Sequence, residues 1–240
     1  MPIWQEGELK IHYETFGEGF PILLFAPGGM HSKIDVWERM PWNPIDVLSP
    51  HFRVIAMDQR NAGESEAPIQ GTDGWGTYAA DHVALLDALE IDRCHVLGCC
   101  IGGPYALGLI EADAQRVAGA VLVQPIGHSD ENREAFYAMF DSWAEDLRPG
   151  RPEVAEGDWE SFRSNMYDGD FLFNVSRDFV RGVENPLLVL MGDDLYHPEA
   201  ISREVADLAP RAELIEEWKE GAAVQASAKR VVEFLQAHAA

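Results

Sequence analysis

Residues 93–107 constrain the fold more than any other part of the chain. They read Arg-Cys-His-Val-Leu-Gly-Cys-Cys-Ile-Gly-Gly-Pro-Tyr-Ala-Leu. Residues 95–97 form a short apolar strand, residues 98–102 a turn of small residues, and Pro104 opens an apolar helix. Glycines on both sides of the turn let strand and helix pack closely around one strained, exposed residue. This Gly-x-nucleophile-x-Gly pattern predicts a nucleophile elbow, and Cys100 occupies its central position.

Composition excludes several classes of partner. The 240 residues suffice for one large α/β domain, and 18 basic against 41 acidic side chains give a formal charge of −23. Such a surface repels nucleic acid and anionic membranes, so we expect a small-molecule substrate and neither of those partners. Three cysteines do not make a disulfide framework. Because the N-terminus resembles no signal peptide and no apolar stretch would span a bilayer, we expect a cytoplasmic protein.

Apolar runs alternate with helical patterns along most of the chain. The first predicted strand, residues 9–15, alternates apolar and polar residues, as an antiparallel edge strand does. The runs that follow are largely apolar, which indicates strands buried on both faces. They are residues 21–25, 53–57, 95–97, 119–123, 187–191 and 212–215, and helical spacing is found at 79–86, 105–110 and 224–235. Strands alternating with helices predict a mainly parallel sheet covered by helices on both faces.

Residues 126–185, here called the inserted segment, interrupt this alternation of strands and helices. They contain no convincing central strand but many aromatic residues, and Phe136, Phe140 and Trp143 recur at helical spacing. Pro149 to Pro152 marks a break between helices. The aromatic side chains either pack only among themselves or cover an apolar face of the sheet domain. The pattern predicts a helical insertion between two strands.

Four motifs in order give the chain a family resemblance. Residues 26–30, Ala-Pro-Gly-Gly-Met, follow the first buried strand; residues 58–65, Asp-Gln-Arg-Asn-Ala-Gly-Glu-Ser, follow the next; then come the elbow and residues 192–198, Gly-Asp-Asp-Leu-Tyr-His-Pro. Together they resemble the oxyanion loop, the Asp-x-Arg-x-x-Gly-x-Ser turn, the elbow and the acid loop of α/β-hydrolase-fold proteins. The resemblance implies a core domain of residues 1–125 and 186–240, with residues 126–185 as a helical cap.

Cys100 is the candidate nucleophile. It would sit at the N-terminus of a helix, whose partial positive charge and free N–H groups lower the pKa of a thiol. The thiolate is the reactive form, so a covalent role fits this position. The alternative is a buried cysteine that acts as a small apolar residue. That interpretation suits Cys94 and Cys99, which by pattern point away from the site.

The resemblance assigns the remaining roles. Backbone N–H groups of Ile101, directly after the nucleophile, and Gly29, after the Pro27-Gly28 pair, would form the oxyanion hole. Asp194 takes the position of the acid that orients a histidine, with Asp193 as the neighbouring alternative.

The general base is absent from its expected place. The family places its histidine in the loop after the last strand, where this chain has Ala222 and Ala223. Three explanations stay open: an impaired enzyme, a substitute base, or a protein that binds a ligand without turnover. His128 and His197 are the candidate substitutes. We expect slow or absent turnover, since a missing general base removes about 10²–10⁴ in rate.

The sequence therefore predicts an α/β-fold hydrolase. The resemblance implies cleavage of an ester, lactone, thioester or activated C–C bond in a small apolar substrate held between Cys100 and the cap. A catalytically silent ligand-binding protein and an acyltransferase are the alternatives. No histidine pair has metal-ligand spacing and no glycine-rich loop has a phosphate-binding pattern, so we expect neither metal nor cofactor. Exposed cap aromatics would permit a homodimer.

Overall fold

The computed structural model describes residues 2–239 and contains the predicted α/β architecture. A sheet of eight strands is covered by helices on both faces. The strands are β1 (Ile3–Glu6), β2 (Leu9–Phe16), β3 (Pro21–Phe25), β4 (Arg53–Met57), β5 (Cys94–Cys99), β6 (Val117–Val123), β7 (Leu187–Leu190) and β8 (Ala212–Ile215). Seven of the eight match predicted strands, because their buried apolar runs leave few other folds for those residues.

The strand order is β1-β2-β4-β3-β5-β6-β7-β8. Strands β3 to β8 pair in parallel, whereas β1–β2 and β2–β4 pair antiparallel. The prediction that residues 9–15 form an edge strand is wrong, since β1 pairs outside β2. Strand β1 carries no sequence signal because three of its four residues are exposed.

Two apolar layers hold the sheet between the helices. Along β5 the side chains alternate, so that Val96 packs into one layer and Leu97 into the other. The first layer includes Leu85 and Leu109, and the second includes Phe234. The α-helices are α1 (Pro44–Leu48), α2 (Trp75–Ala88), α3 (Gly102–Asp113), α4 (Arg133–Leu147), α5 (Glu156–Tyr167), α6 (Arg177–Arg181), α7 (Glu199–Leu208) and α8 (Gly221–Ala237).

The inserted segment lies between β6 and β7 and contains α4, α5 and α6, with no strand among its residues. It is joined to the sheet domain at loops that follow the carboxyl ends of strands. Trp143 Nε1 donates to the carbonyl oxygen of Asn61 at 3.2 Å, and Trp75 Nε1 donates to that of Met166 at 2.7 Å. The segment therefore covers the sheet edge at which ligands bind in open α/β folds.

None of the helices within residues 2–239 combines the length and the apolar character needed to cross a bilayer.

Candidate active site

Cys100 is held in a strained turn between β5 and α3. Its φ angle is +60°, a left-handed conformation that a residue with a side chain rarely adopts. Its amide donates to the Val123 carbonyl at 2.9 Å, and its carbonyl accepts from the Gly103 amide at 3.0 Å. A side chain at Gly98 would meet the carbonyl oxygen of Gly102 at 1.9 Å, so the turn needs glycine there. The predicted elbow is thus present, and the fold fixes its strained residue.

The three cysteines lie in different surroundings. Cys94 and Cys99 are fully buried in opposite apolar layers, and burial raises the pKa of both thiols. Cys100 keeps part of its surface accessible. The structure therefore agrees with a structural role for the first two.

His197 and Asp194 form a closely bonded pair in the loop after β7. Nδ1 of His197 lies 2.8 Å from Asp194 Oδ1 and 2.9 Å from Oδ2. The histidine is 9 % exposed, and its Nε2 atom is buried without a regular hydrogen-bond partner within residues 2–239. A carboxylate on Nδ1 fixes the ring and leaves Nε2 as the nitrogen that can exchange a proton.

The loop sequence itself builds this pair. Asp194 Oδ1 also accepts from the amides of Tyr196, at 2.9 Å, and His197, at 3.0 Å, in a compact turn of the kind that aspartate favours. A side chain at Gly192 would meet the His197 carbonyl oxygen at 2.4 Å. The glycine therefore allows the turn to close and brings the histidine back towards the sheet edge.

The side chains of Cys100 and His197 interact directly. Burial alone would raise the pKa of the Cys100 thiol, but its interaction with His197 and the amides of Gly28 and Ile101 outweighs burial, so the pKa is lowered. Burial alone would lower the pKa of His197, yet Cys100 and Asp194 raise it to about 9. Both shifts favour a thiolate beside an imidazolium at neutral pH.

Two backbone amides converge on the Cys100 side chain. They belong to Ile101, as predicted, and to Gly28. The predicted Gly29 lies one residue further on, where it begins a short 3₁₀ turn (Gly29–His31). Any side chain at Gly29 would collide with Met139 of the inserted segment, 2.3 Å away. Sequence reasoning missed Gly28, because the direction of an amide depends on backbone angles that the motif leaves open.

The other candidates lie elsewhere. His128 Nδ1 is 3.3 Å from Asp170 Oδ1. His128 is therefore paired with a different carboxylate from His197, whose partner is Asp194. Asp193 forms an exposed ion pair with Lys219, which leaves Asp194 as the acid beside a histidine. Ala222 and Ala223 begin α8, after β8. Of the side chains that the sequence singled out, the structure thus brings together Cys100, His197 and Asp194.

The comparisons with known proteins agree with this geometry. Residues 21–173 match the family model described as the alpha/beta hydrolase fold. The chain belongs to the α/β-hydrolase-fold family. The match covers the oxyanion loop, the elbow and most of the inserted segment, and ends before the loop that carries Asp194 and His197.

The relatives of this α/β-hydrolase-fold chain have several named activities. It is 35 % identical over 120 residues to a non-heme chloroperoxidase of Streptomyces lividans, covering 49 % of this chain and 41 % of that protein. It is 26 % identical to a 2-hydroxymuconate semialdehyde hydrolase of a Pseudomonas species, covering 86 % and 81 %. The alignments span about half the length of the first curated relatives that it matches.

Several solved structures match this chain over almost its whole length. Among them is Est816, described as an N-acyl homoserine lactone degrading enzyme, with a TM-score of 0.69 and 26 % identity over 98 % of this chain and 99 % of that one. The similarity extends the shared fold beyond the region of the family model.

The inserted segment lies next to the elbow. Cys100 packs at the junction of both apolar layers, with Met139 of the inserted segment close to Gly29. Five of the surface clefts among residues 2–239 are lined by residues other than Cys100. Cys100 therefore does not open into any of these five clefts.

Within residues 2–239, no group of three or more His, Cys, Asp or Glu side chains is arranged to hold a metal ion. The chemistry derived below uses only the protein's own side chains and amides.

Proposed function

We propose that this chain is a hydrolase that forms a thioester on Cys100, with His197 as its acid–base group and Asp194 as the carboxylate that orients His197. One observation carries the proposal: a strained cysteine at an elbow interacts with a buried histidine whose other nitrogen is bonded to a carboxylate. These are the relations of a nucleophile, base and orienting acid.

Acylation begins from the charged pair. The Cys100 thiolate attacks the carbonyl carbon of an ester or lactone, and an S–C bond forms while the C=O electrons move onto oxygen. The amides of Gly28 and Ile101, which converge on Cys100, would stabilise that oxyanion. When the C–O bond breaks, the leaving alkoxide takes a proton from His197 Nε2, and the product is a neutral thioester beside a neutral imidazole.

Deacylation uses the change in charge at Cys100. Thioester formation removes the negative partner that raises the pKa of His197, while burial continues to lower that pKa. The neutral imidazole can then take a proton from water as the water attacks the thioester carbon. Collapse of the intermediate breaks the C–S bond, releases the acid and restores the thiolate beside the imidazolium.

The position of His197 removes the reason for expecting slow turnover. That expectation rested on the alanines at positions 222 and 223. The loop after β7 instead supplies an imidazole and a carboxylate together. We infer that turnover does not depend on those two positions.

Small esters and lactones are the proposed substrates. The residues packed around Cys100 are mostly apolar, which favours uncharged, apolar acyl groups. The relatives named above include one called a hydrolase and one called a lactone-degrading enzyme, which supports this choice of bond.

A panel of p-nitrophenyl esters tests the proposal. We expect repeated turnover by the wild type, loss of turnover in Cys100→Ala, and a transient acyl mass on the wild-type chain. Cys94→Ala is the matched control, because its thiol lies buried away from the site. Hydrolysis that survives Cys100→Ala at the wild-type rate would exclude a cysteine nucleophile.

Acyl transfer is the second candidate, favoured by the inserted segment that covers the site and limits access of water. Added butanol or a simple thiol distinguishes the two. A transferase would release product much faster with the added acceptor, whereas a hydrolase would release it at the same rate without one.

A further inference from the structure

Three buried tyrosines lie beside the nucleophile and take no part in the chemistry above. Tyr78 comes from α2, Tyr105 from the second turn of α3, and Tyr167 from the end of α5 in the inserted segment. They are 1 %, 2 % and 0 % exposed. This tyrosine cluster therefore joins the core and the inserted segment where the two meet.

The cluster is compact and lies close to Cys100. The rings of Tyr78 and Tyr105 stack with centroids 4.9 Å apart, and the Trp75 ring lies 5.4 Å from that of Tyr105 and 6.4 Å from that of Tyr167. Tyr105 and Tyr167 are near enough to interact with the charge of the Cys100 thiolate. Two of the three hydroxyl groups thus lie within electrostatic reach of the reacting sulfur.

The hydroxyl groups have unused hydrogen-bonding capacity. Within residues 2–239, none of the three hydroxyl oxygens has a partner in regular hydrogen-bond geometry. The hydroxyl groups of Tyr78 and Tyr105 are close enough to interact with each other, which leaves one of their two protons and that of Tyr167 without an acceptor. A buried hydroxyl without a partner lowers the stability of the folded chain, and folded proteins rarely keep several such groups together. A bound molecule with an oxygen acceptor would satisfy them.

The charges around the tyrosine cluster favour a neutral oxygen acceptor over an anionic one. Arg60 lies 5.8 Å from the centre of the Tyr78 ring, but its guanidinium is already paired with Asp81, at 2.7 Å, and Asp73, at 3.1 Å. These three groups together carry one excess negative charge, and the thiolate, imidazolium and carboxylate of Cys100, His197 and Asp194 together carry another. An anionic ligand would be repelled, whereas a neutral oxygen would accept hydrogen bonds without that cost.

We propose that the hydroxyl groups of Tyr78, Tyr105 and Tyr167 form a substrate subsite that binds a neutral oxygen acceptor, such as a ketone or ether, away from the scissile bond. The assignment rests on the proposed hydrolase function. With this subsite, the preferred substrate is apolar at the reacting end and has one polar atom further away. The inserted segment contributes Tyr167, so its closure over the substrate completes the subsite.

Matched ester pairs test the subsite on either side of the scissile bond. The acyl-side pair is p-nitrophenyl pentanoate and p-nitrophenyl 4-oxopentanoate, and the alcohol-side pair is butyl butanoate and 2-methoxyethyl butanoate. Only the pair whose extra oxygen reaches the subsite should respond. For that pair, Tyr105→Phe and Tyr167→Phe should each lower kcat/KM for the oxygen-bearing ester about tenfold relative to its alkyl partner. Tyr78→Phe should do the same to a smaller extent, since Tyr78 lies on the far side of Tyr105.

Controls separate recognition from structure. Tyr137→Phe removes a hydroxyl that bonds Asp168 on the inserted segment, and it should leave both ratios unchanged. Because the Tyr167 hydroxyl lacks a partner, Tyr167→Phe should not lower Tm. An equal loss on both members of each pair, accompanied by a lower Tm, would mean that the tyrosines only support the fold and would overturn the subsite.

Failure of the subsite and failure of the proposed function give different results. Ratios that no tyrosine variant changes, with hydrolysis that still requires Cys100, would reject the subsite alone. A faster reaction with p-nitrophenyl hemisuccinate than with either acyl-side ester would show that the subsite does not select a neutral oxygen.

If no ester is turned over, the proposed function fails, and protection of Cys100 from iodoacetamide then tests the subsite. In that case 4-oxopentanamide should protect better than pentanamide, and Tyr105→Phe should abolish the difference; equal protection by the two amides would reject the subsite.

Discussion

The loops after β7 and β8 begin at the same edge of the sheet, but only the first contains a histidine bonded to a carboxylate. The β7 loop folds Asp194 and His197 into this pair. After β8 the chain enters α8, whose first turn contains Ala222 and Ala223. The family resemblance implies that acid and base come from these two loops, whereas the function proposed above takes both from one turn. The proposal therefore requires an imidazole near the elbow with a carboxylate behind it, whichever strand supplies them.

The largest effect should come from removing the imidazole of the β7 loop. We expect His197→Gln to lower kcat for p-nitrophenyl butyrate by about 10³-fold, because the Cys100 thiolate loses its imidazolium partner and the attacking water loses its base. His128→Gln is the matched control, since His128 bonds Asp170, and it should change kcat less than about twofold. Comparable losses in the two variants, measured by steady-state kinetics, would contradict the choice of base.

The two neighbouring aspartates of the same loop should differ next. Asp194→Asn should lower kcat about 100-fold, since the amide neither stabilises the imidazolium nor holds the ring in its orientation as well as a carboxylate does. Asp193→Asn breaks only an exposed ion pair with Lys219 and should stay within about twofold of the wild type. If the Asp193 variant lost more activity, the assignment of the acid would be wrong.

A smaller effect is expected from Gly192. A methyl group there would meet the His197 carbonyl oxygen at 2.4 Å, so Gly192→Ala must displace the loop backbone. We expect a loss of about 1–3 kcal/mol in the free energy of unfolding, as overpacked sites show, and about a tenfold fall in kcat. Gly182→Ala is the control, because its methyl group would come no closer than 3.4 Å to other atoms. Urea denaturation and kinetics on both variants check the difference.

The smallest effect should follow from restoring histidine to the loop after β8. Ala222→His and Ala223→His should each change kcat less than about twofold, because the Asp194 carboxylate is already hydrogen-bonded to Nδ1 of His197. A rise of tenfold or more in either variant would show that the natural chain is impaired and that the β7 loop does not provide the base. Steady-state kinetics on the ester panel measures this directly.

The sequence predicted the parts of the molecule that depend on apolar pattern and on motif order. The bounds of β3, β4 and β8 agree residue by residue, because each is an apolar run between polar or turn residues. Strand β1 was missed because its side chains are exposed and its pairing is made by backbone atoms. The elbow at Cys100 was predicted because it is a local motif with one steric solution.

The choice of base could not be predicted from spacing alone. His128 and His197 both follow strands that end at the same sheet edge, and only the turn around Asp194 brings His197 back to the elbow. The Gly28 amide depends on local backbone angles in the same way, with φ of +120° at Gly28 and +58° at Gly29. The tyrosine cluster combines residues from α2, α3 and α5, a long-range meeting that no single stretch of sequence reveals.

The ionisation of Cys100 is the central claim, and the pH dependence of its alkylation by iodoacetamide tests it most directly. The pKa of Cys100 is lowered from the ordinary value of 9.0, so the alkylation rate should reach half its plateau below pH 9.0. In His197→Gln the imidazolium no longer outweighs burial, so the pH of half-maximal rate should move above 9.0. A wild-type value at or above 9.0 that is unchanged in His197→Gln would contradict the account.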